Sequence, residues 1–316
     1  HDSRGIIWIS TYGNGLFAYD PIEDKLEHFA AGITENSYIN SDFLLFVMED
    51  RAGGIWVSSE YSGVARISVL NEGTIRIYPE SPELFDRSNA IRMIEEMPNG
   101  DIGITTRKGG LFTYDAYFNR KMDKTYYQSN IYAMEKDAGG KLWMGTRGEG
   151  LKIGEDWYRH DKLDLTTLSN NNIFAICRDA KDRMWIGTFG GGLDLAEPAS
   201  EGTYKFRHFF QGRYGVQMVR AFQEDKNGMI WMGTSEGICI FHPDSLIADP
   251  ENYHWFSHTN GKFCSNEIKC IFQDSKGRIW TGTSGMGLNL CQPEDNYNVL
   301  RYEHYGVNEG LVNNVV

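Results

Sequence analysis

The sequence predicts an all-β protein, a seven-bladed β-propeller of four-stranded antiparallel blades that is closed by pairing of its N- and C-terminal segments. Three observations lead to this prediction. A short motif of tryptophan, glycine and threonine recurs along the 316 residues. Short apolar runs alternate with turn signals inside each repeat. The two ends are complementary, because the chain begins just after the first strand of a repeat and ends in the beginning of one.

The repeat is anchored by a slot that usually holds tryptophan. Copies such as "WISTYGNGLFAYD", "WMGTRGEGLKI" and "WTGTSGMGLNL" place this slot at residues 8, 56, 103, 143, 185, 231 and 280. Glycine replaces tryptophan at 103, in "GITTRKGGLFTYD". The slots lie 40 to 49 residues apart, a period typical of propellers and solenoids. We therefore expect residues 1–316 to form one propeller domain, excised from a longer chain because it begins in mid-repeat.

One repeat, from Asn171 to Phe209, shows the four strands in order. "NNIFAICRD" predicts the first strand, "MWIGT" the second, "LDLAEP" the third and "YKFRHFF" the fourth, with turns between them. A four-stranded sheet cannot cover both of its faces, so neighbouring sheets must stack around an axis. We expect the slot tryptophans to pack between neighbouring blades. The C-terminal "GLVNNVV" resembles the beginning of a first strand, so Val312 to Val316 is expected to pair with the strand containing Ile6 to Ser10.

Several classes of function are excluded by composition and by the repeats themselves. The net charge of −12 argues against a nucleic-acid or anionic-membrane surface. The triple glycine in "WIGTFGGGLDL" resembles a phosphate loop, but a further strand follows it where such a loop requires a helix. The recurring aspartates in turns such as "DRAG" and "DSKG" fit turn initiation better than a calcium site, which needs several clustered oxygen ligands. We predict no cofactor, no metal site and no catalytic residue.

The pattern D-x-x-G-x-[IL]-W-[IV]-G-T, followed by paired glycine and an aromatic-aspartate step, resembles the two-component regulator propeller repeat. The resemblance implies the periplasmic sensor region of a hybrid two-component histidine kinase, whose membrane helix and kinase modules lie elsewhere in the parent chain. It also implies an oligosaccharide or other small ligand. The implied partners are an adjacent propeller or β-sandwich domain of the same chain, which would complete the site, and a second copy in a homodimer.

Candidate binding residues follow from comparing the repeats with one another. The position after the glycine–threonine step and the second position of the first strand vary, and both should lie on the same face. Aromatic and basic side chains at these positions predict a rim that binds sugar faces and anionic groups. The candidate residues are Tyr12, Arg92, Arg107, Tyr132, Arg147, Phe189, Arg220 and Lys269.

Two other functions remain open from the sequence. Propellers also carry lyases and glycosidases, and glycosidic chemistry needs two carboxylates about 5–10 Å apart. Asp42, Glu60 and Glu267 are carboxylates near the predicted rim, but they do not define a catalytic pair. A structural platform for protein interaction or dimerisation is the third interpretation.

Overall fold

The computed structural model describes residues 1–32, 39–67, 74–81, 86–115, 119–126, 130–213, 215–260, 262–265, 267–311 and 313–316. In these ranges 27 strands lie in seven antiparallel sheets, and in each sheet the strands that are neighbours in the chain are also neighbours in the sheet. This is the seven-bladed β-propeller that the sequence predicts. The chain divides into two compact units, His1–Ile131 and Tyr132–Val316.

The first unit contains three sheets. The strands of the first are β1 (Ile7–Ser10), β2 (Leu16–Asp20) and β3 (Lys25–Phe29). Those of the second are β4 (Leu44–Glu49), β5 (Ile55–Ser59), β6 (Val64–Ile67) and β7 (Thr74–Ile77). Those of the third are β8 (Ile91–Glu96), β9 (Ile102–Thr106), β10 (Gly110–Tyr114) and β11 (Arg120–Tyr126).

The remaining four sheets belong to the second unit, apart from the first residue of β12. The fourth sheet has β12 (Ile131–Lys136), β13 (Leu142–Thr146), β14 (Leu151–Ile153) and β15 (Asp156–Tyr158). The fifth has β16 (Ile173–Arg178), β17 (Met184–Thr188), β18 (Leu193–Pro198) and β19 (Tyr204–Phe209). The sixth has β20 (Val219–Glu224), β21 (Ile230–Thr234), β22 (Ile238–Phe241) and β23 (His254–Phe256), with helix α1 (Pro243–Ala248) before its last strand. The seventh has β24 (Ile268–Gln273), β25 (Ile279–Thr283), β26 (Leu288–Glu294) and β27 (Val299–Tyr305).

The slot tryptophans pack between neighbouring sheets, as predicted. Trp56, Trp143, Trp185 and Trp231 are fully buried. Trp185 shares an apolar cluster with Phe241 of the following sheet. The second strand of a blade is buried on both faces, as in β17. Its glycine is needed for this packing, because a Cβ at Gly145 would lie 2.5 Å from Ile173 of the next sheet.

Each intact repeat closes its first hairpin with a hydrogen bond from tryptophan to aspartate. The indole Nε1 donates to Oδ2 of the aspartate six residues earlier, while Oδ1 accepts backbone amides two and four residues ahead, as at Asp50 and Asp274. The aspartates therefore initiate turns, as the sequence predicts, and they bind protein donors. The indole–carboxylate distances are 2.9 Å for Trp8–Asp2, 2.7 Å for Trp56–Asp50, 3.2 Å for Trp143–Asp137, 3.0 Å for Trp185–Asp179, 2.9 Å for Trp231–Asp225 and 3.0 Å for Trp280–Asp274.

The third repeat lacks both partners of this bond. Gly103 stands where the other repeats have tryptophan, and Met97, six residues earlier, stands where they have aspartate. The Met97 Sδ lies 2.6 Å from the position that a Cβ on Gly103 would take. The methionine side chain thus fills part of the volume of the missing indole, and position 97 holds no carboxylate that would need the indole as its donor.

The C-terminal segment contacts the seventh sheet at the glycine turn beside which the next first strand begins, and its pairing with Ile6–Ser10 stays a prediction. Val315 forms a bridge with Ser284, and the Asn314 carbonyl accepts the amides of Gly285 and Gly287 at 3.0 and 2.6 Å. Asn171 makes the same two bonds to a glycine turn, so Val316 occupies the position at which β16 begins after Asn171. Among the described residues the first sheet has the three strands β1–β3 rather than four. Residue 312 lies outside the described residues.

No helix in the described part of the chain is both long and apolar enough to cross a bilayer.

Candidate ligand-binding surface

The turns between second and third strands lie beside the entry to the next first strand. Isolated bridges join the residue after the threonine slot to the next repeat, as in Arg147–Asn172 and Phe189–Met218. The threonine hydroxyl fixes several of these turns: Thr146 Oγ1 donates to the Gly150 carbonyl at 2.8 Å, and Thr188 Oγ1 donates to the Gly192 carbonyl at 3.0 Å. In the second unit the two variable positions chosen from the sequence therefore lie beside each other, as the contact between Phe174 and Phe189 shows.

Three aromatic rings and an arginine form a continuous row on the second unit, and we name Tyr132, Phe174, Phe189 and Arg220 the aromatic–basic ladder. Tyr132 stacks on Phe174 with ring centroids 4.5 Å apart and an interplanar angle of 9°. Phe174 contacts Phe189 at 4.9 Å. The guanidinium carbon of Arg220 lies 5.1 Å above the Phe189 ring. All four side chains are partly exposed, so the row presents ring surface to solvent.

The arginine end of the ladder is held by Glu267. Its Oε1 lies 2.8 Å from Arg220 Nη2 and 2.8 Å from Lys269 Nζ. Arg220 Nε also donates to Ser235 Oγ at 2.9 Å. Burial alone would raise the pKa of Glu267, but the Lys269 hydrogen bond and the charges of Lys269 and Arg220 lower the pKa below its ordinary value. The carboxylate therefore stays ionised and fixes two cations of the predicted set.

Arg147 lies at the turn that precedes the first strand bearing Phe174. Its side chain is exposed, and its backbone forms the bridge to Asn172. Met218, which forms the bridge to Phe189, is also exposed. The second unit thus brings together Tyr132, Phe189 and Arg220, with Lys269 joined to Arg220 through Glu267.

The predicted residues of the first unit lie around Glu60. Arg107 Nη1 lies 3.3 Å from Glu60 Oε1, and Arg92 Nη1 lies 4.0 Å from Glu60 Oε2. Tyr12 packs edge-on against Phe43 at 5.2 Å. A hydrogen bond with Tyr61, burial and the charge of Glu60 raise the pKa of Tyr12 to about 12. Tyr12 therefore remains a neutral phenol.

Sequence reasoning missed four contributors to these groups. Phe174 is not among the candidate residues, and Glu267 enters the sequence analysis only as a carboxylate that could take part in catalysis. Phe43 and Tyr61 were not selected, although both aromatics stand next to variable positions. The exposure of Phe43 beside Tyr12, and the distance of 6.1 Å between the Phe43 and Tyr61 rings, depend on tertiary structure.

The carboxylates considered for catalysis are occupied by other protein groups. Asp42 Oδ1 accepts the Ala31 amide at 2.6 Å. Glu60 and Glu267 are each held by two cationic side chains. Within the residues that the structure describes, no three histidine, cysteine or acidic side chains are grouped so that they could hold a metal ion.

Three stretches of the chain match the family model of the two-component regulator propeller, at residues 167–190, 214–236 and 262–285. These stretches each contain the turn and slot motif described above. The chain carries two-component regulator propeller repeats. No curated protein matches the chain as a whole.

Solved structures similar to these two-component regulator propeller repeats share the fold at low sequence identity. The extracellular domain of a protein named as a hybrid two-component system from B. thetaiotaomicron matches with a TM-score of 0.51 and 21% identity, over 98% of this chain and 41% of that one. Virginiamycin B lyase from Staphylococcus aureus matches with a TM-score of 0.60 and 10% identity, over 83% and 84%. PorZ, a surface component of the type-IX secretion system of Porphyromonas gingivalis, matches with a TM-score of 0.60 and 14% identity, over 96% and 46%. The chain thus spans about two fifths of the length of that extracellular domain.

Proposed function

We propose that this chain is a non-catalytic ligand-binding module of a two-component signalling protein and that it recognises an oligosaccharide. The aromatic–basic ladder carries the proposal. Aromatic faces pack well against the apolar faces of sugar rings, and a guanidinium binds carboxylate or sulfate groups in a bidentate manner. Arg220 lies 5.1 Å above Phe189, so a stacked sugar and its anionic substituent would meet adjacent protein groups.

The two-component regulator propeller repeats support a role as a sensor. The structural neighbour from B. thetaiotaomicron is an extracellular domain, which supports a periplasmic or extracellular location for this chain as well. In this proposal the chain binds its ligand outside the cytoplasm, and a kinase located elsewhere in a longer protein receives the signal. An adjacent propeller or β-sandwich domain, or a second copy of the chain, would be the partner through which binding is relayed.

The occupied carboxylates support binding rather than cleavage. A glycosidase or lyase needs an acid or base that is free to exchange a proton with its substrate. Glu267 is ionised and bonded to Arg220 and Lys269, and Glu60 is bonded to Arg107. The similarity to virginiamycin B lyase, at 10% identity, concerns the fold alone.

Calorimetry with a panel of neutral and acidic oligosaccharides tests the proposal. We expect Phe189→Ala to weaken binding of every oligosaccharide in the panel that binds, by about tenfold, since an aromatic contact is worth up to about 1.5 kcal/mol. We expect Arg220→Ala to weaken the binding of acidic oligosaccharides more than the binding of neutral ones. Leu163→Ser is the matched control, because Leu163 is 95% exposed on a loop outside the ladder.

Three results would contradict the proposal in different ways. Binding that survives both ladder substitutions would show that the site lies elsewhere. If only Tyr12→Ala abolishes binding, the site lies in the first unit. Absence of binding to the whole panel would contradict the oligosaccharide class. Shortened products in chromatography of the incubated oligosaccharides would favour the enzyme alternative.

A further inference from the structure

Three consecutive backbone positions of the second unit are held by three different titratable side chains. His208 Nε2 donates to the Thr167 carbonyl at 2.6 Å, and His160 Nδ1 donates to the Leu168 carbonyl at 2.6 Å. The Ser169 amide donates to Asp194 Oδ2 at 2.9 Å. The segment 167–169 is therefore held by two imidazole rings and one carboxylate.

Asp194 is the most deeply buried of the three groups. Its side chain on β18 is inaccessible to solvent, and its Oδ1 has no hydrogen-bond partner among the residues that the structure describes. It lies directly opposite His208 of β19 in the sheet register. The same cross-strand position in the seventh sheet holds neutral Asn289 opposite His304. An ionisable group thus occupies a position where the same fold accepts a neutral amide.

The groups that face Asp194 come from three elements. His208 lies on β19, His160 follows β15, and Ser169 precedes β16 with its hydroxyl 3.4 Å from Thr188 Oγ1 of β17. Burial raises the pKa of Asp194 to about 6, although the Ser169 bonds and the two histidines favour the ionised form. The carboxyl therefore changes charge in a range where imidazoles also do.

Segment 167–169 continues directly into the backbone that supports the ladder. The Asn171 carbonyl accepts the amides of Gly148 and Gly150 in the turn that follows Arg147. The Asn172 carbonyl accepts the Phe189 amide at 2.8 Å. Phe174 follows two residues later on β16. A shift of this segment would therefore move the turns on which two candidate binding residues lie.

We propose that Asp194 is a proton-controlled anchor, which holds the Ser169 amide tightly when ionised and weakly when protonated. A hydrogen bond to an ionised acceptor is roughly twice as strong as one to a neutral acceptor. The segment 167–172, and with it the turns of Arg147 and Phe189, then responds to pH. The effect on ligand affinity rests on the proposed function, whereas the anchor itself does not.

Amide NMR of the uniformly labelled chain between pH 4.5 and 7.5 tests the anchor. In the wild type we expect the Ser169 amide proton to move upfield on acidification, with a midpoint near pH 6. In Asp194→Asn, which copies Asn289, this transition should be lost. A Ser169 resonance that does not titrate in the wild type, or that titrates unchanged in Asp194→Asn, would overturn the anchor.

His304→Gln is the matched control, because His304 occupies the equivalent position but faces neutral Asn289. It should leave the Ser169 titration unchanged, and a loss of the titration there would overturn the assignment to Asp194. Calorimetry at pH 5 and 7.5, with the tightest-binding oligosaccharide of the panel, then tests the link to the ladder. The affinity should fall at pH 5 in the wild type and stay constant in Asp194→Asn. A Ser169 titration without any oligosaccharide binding would reject the proposed function and keep the anchor.

Discussion

Replacement of Trp185 by alanine tests how neighbouring blades are held together. The side chain is fully buried, and its ring lies 5.8 Å from Phe209 of its own sheet and 5.5 Å from Phe241 of the next. Its indole also donates to Asp179 Oδ2 at 3.0 Å. Because truncation opens a cavity between two sheets, we expect the free energy of unfolding to fall by about 3–5 kcal/mol, the range for large buried aromatics.

Trp185→Phe separates the packing from the hydrogen bond. Phenylalanine keeps most of the ring contact with Phe241 but cannot donate to Asp179. Hydrogen bonds to charged groups contribute about 1.5–3 kcal/mol. Asp179 keeps the Arg183 guanidinium and two backbone amides as donors. We therefore expect a loss near the lower end of that range, about 1.5 kcal/mol.

Thermal unfolding followed by circular dichroism provides the assay. An unfolding entropy of about 2.1 cal/mol/K per residue, over 316 residues, converts a loss of 4 kcal/mol into a decrease in Tm of about 6 °C for a single cooperative transition. Trp157→Ala is the control, because Trp157 lies outside the slot and is only partly buried on β15. An unchanged Tm in Trp185→Ala, or an equal loss in Trp157→Ala, would refute inter-blade packing as the role of the slot.

Two further predictions concern stability, and each compares a residue with a counterpart in the same chain. Gly150 has a φ of +89°, and a Cβ there would lie 2.2 Å from the Tyr158 carbonyl oxygen, whereas Gly148, with a φ of +106°, faces open space. We expect Gly150→Ala to lose about 1–3 kcal/mol more than Gly148→Ala in urea unfolding, and equal losses would show that backbone strain alone matters. The pKa of Asp194 is raised in the folded state, so its contribution to stability is full below the unfolded pKa and is lost as pH rises through about 6. Asp194→Asn should therefore exceed the wild type in stability at pH 7.5, by on the order of 2 kcal/mol, and match it near pH 4, whereas a larger gain at pH 4 would contradict the sign.

Local signals account for most of what the sequence predicted correctly. The strands β16 to β19 fall where the apolar runs and turns placed them, because each hairpin is specified within about ten residues by its aspartate, glycine and tryptophan. The tryptophan–aspartate bond also has a local signature, a spacing of six residues. The sequence also shows that the third repeat lacks both residues of this pair, since Met97 and Gly103 stand at the two positions.

The contacts that shape the candidate surface depend on residues in different repeats. The sequence shows Glu60 only as a carboxylate near the predicted rim, whereas in the structure it is the acceptor that holds Arg107, 47 residues away. Glu267 similarly joins Arg220 to Lys269 across two sheets. The contact of the C-terminal segment with the seventh sheet is likewise tertiary, because the glycine turn of that sheet donates two amides to the Asn314 carbonyl, as the turn after Arg147 does to Asn171.

Hydrogen–deuterium exchange of the chain, with and without the tightest-binding oligosaccharide of the panel, tests most directly whether the ladder is the binding site. We predict slower exchange in the turns that contain Arg147 and Phe189 and at the beginning of β20, where Arg220 lies. The turn that contains Tyr12 in the first unit should exchange as it does in the free chain. Protection of that turn without protection at Phe189, or protection confined to surfaces outside both groups, would contradict the account.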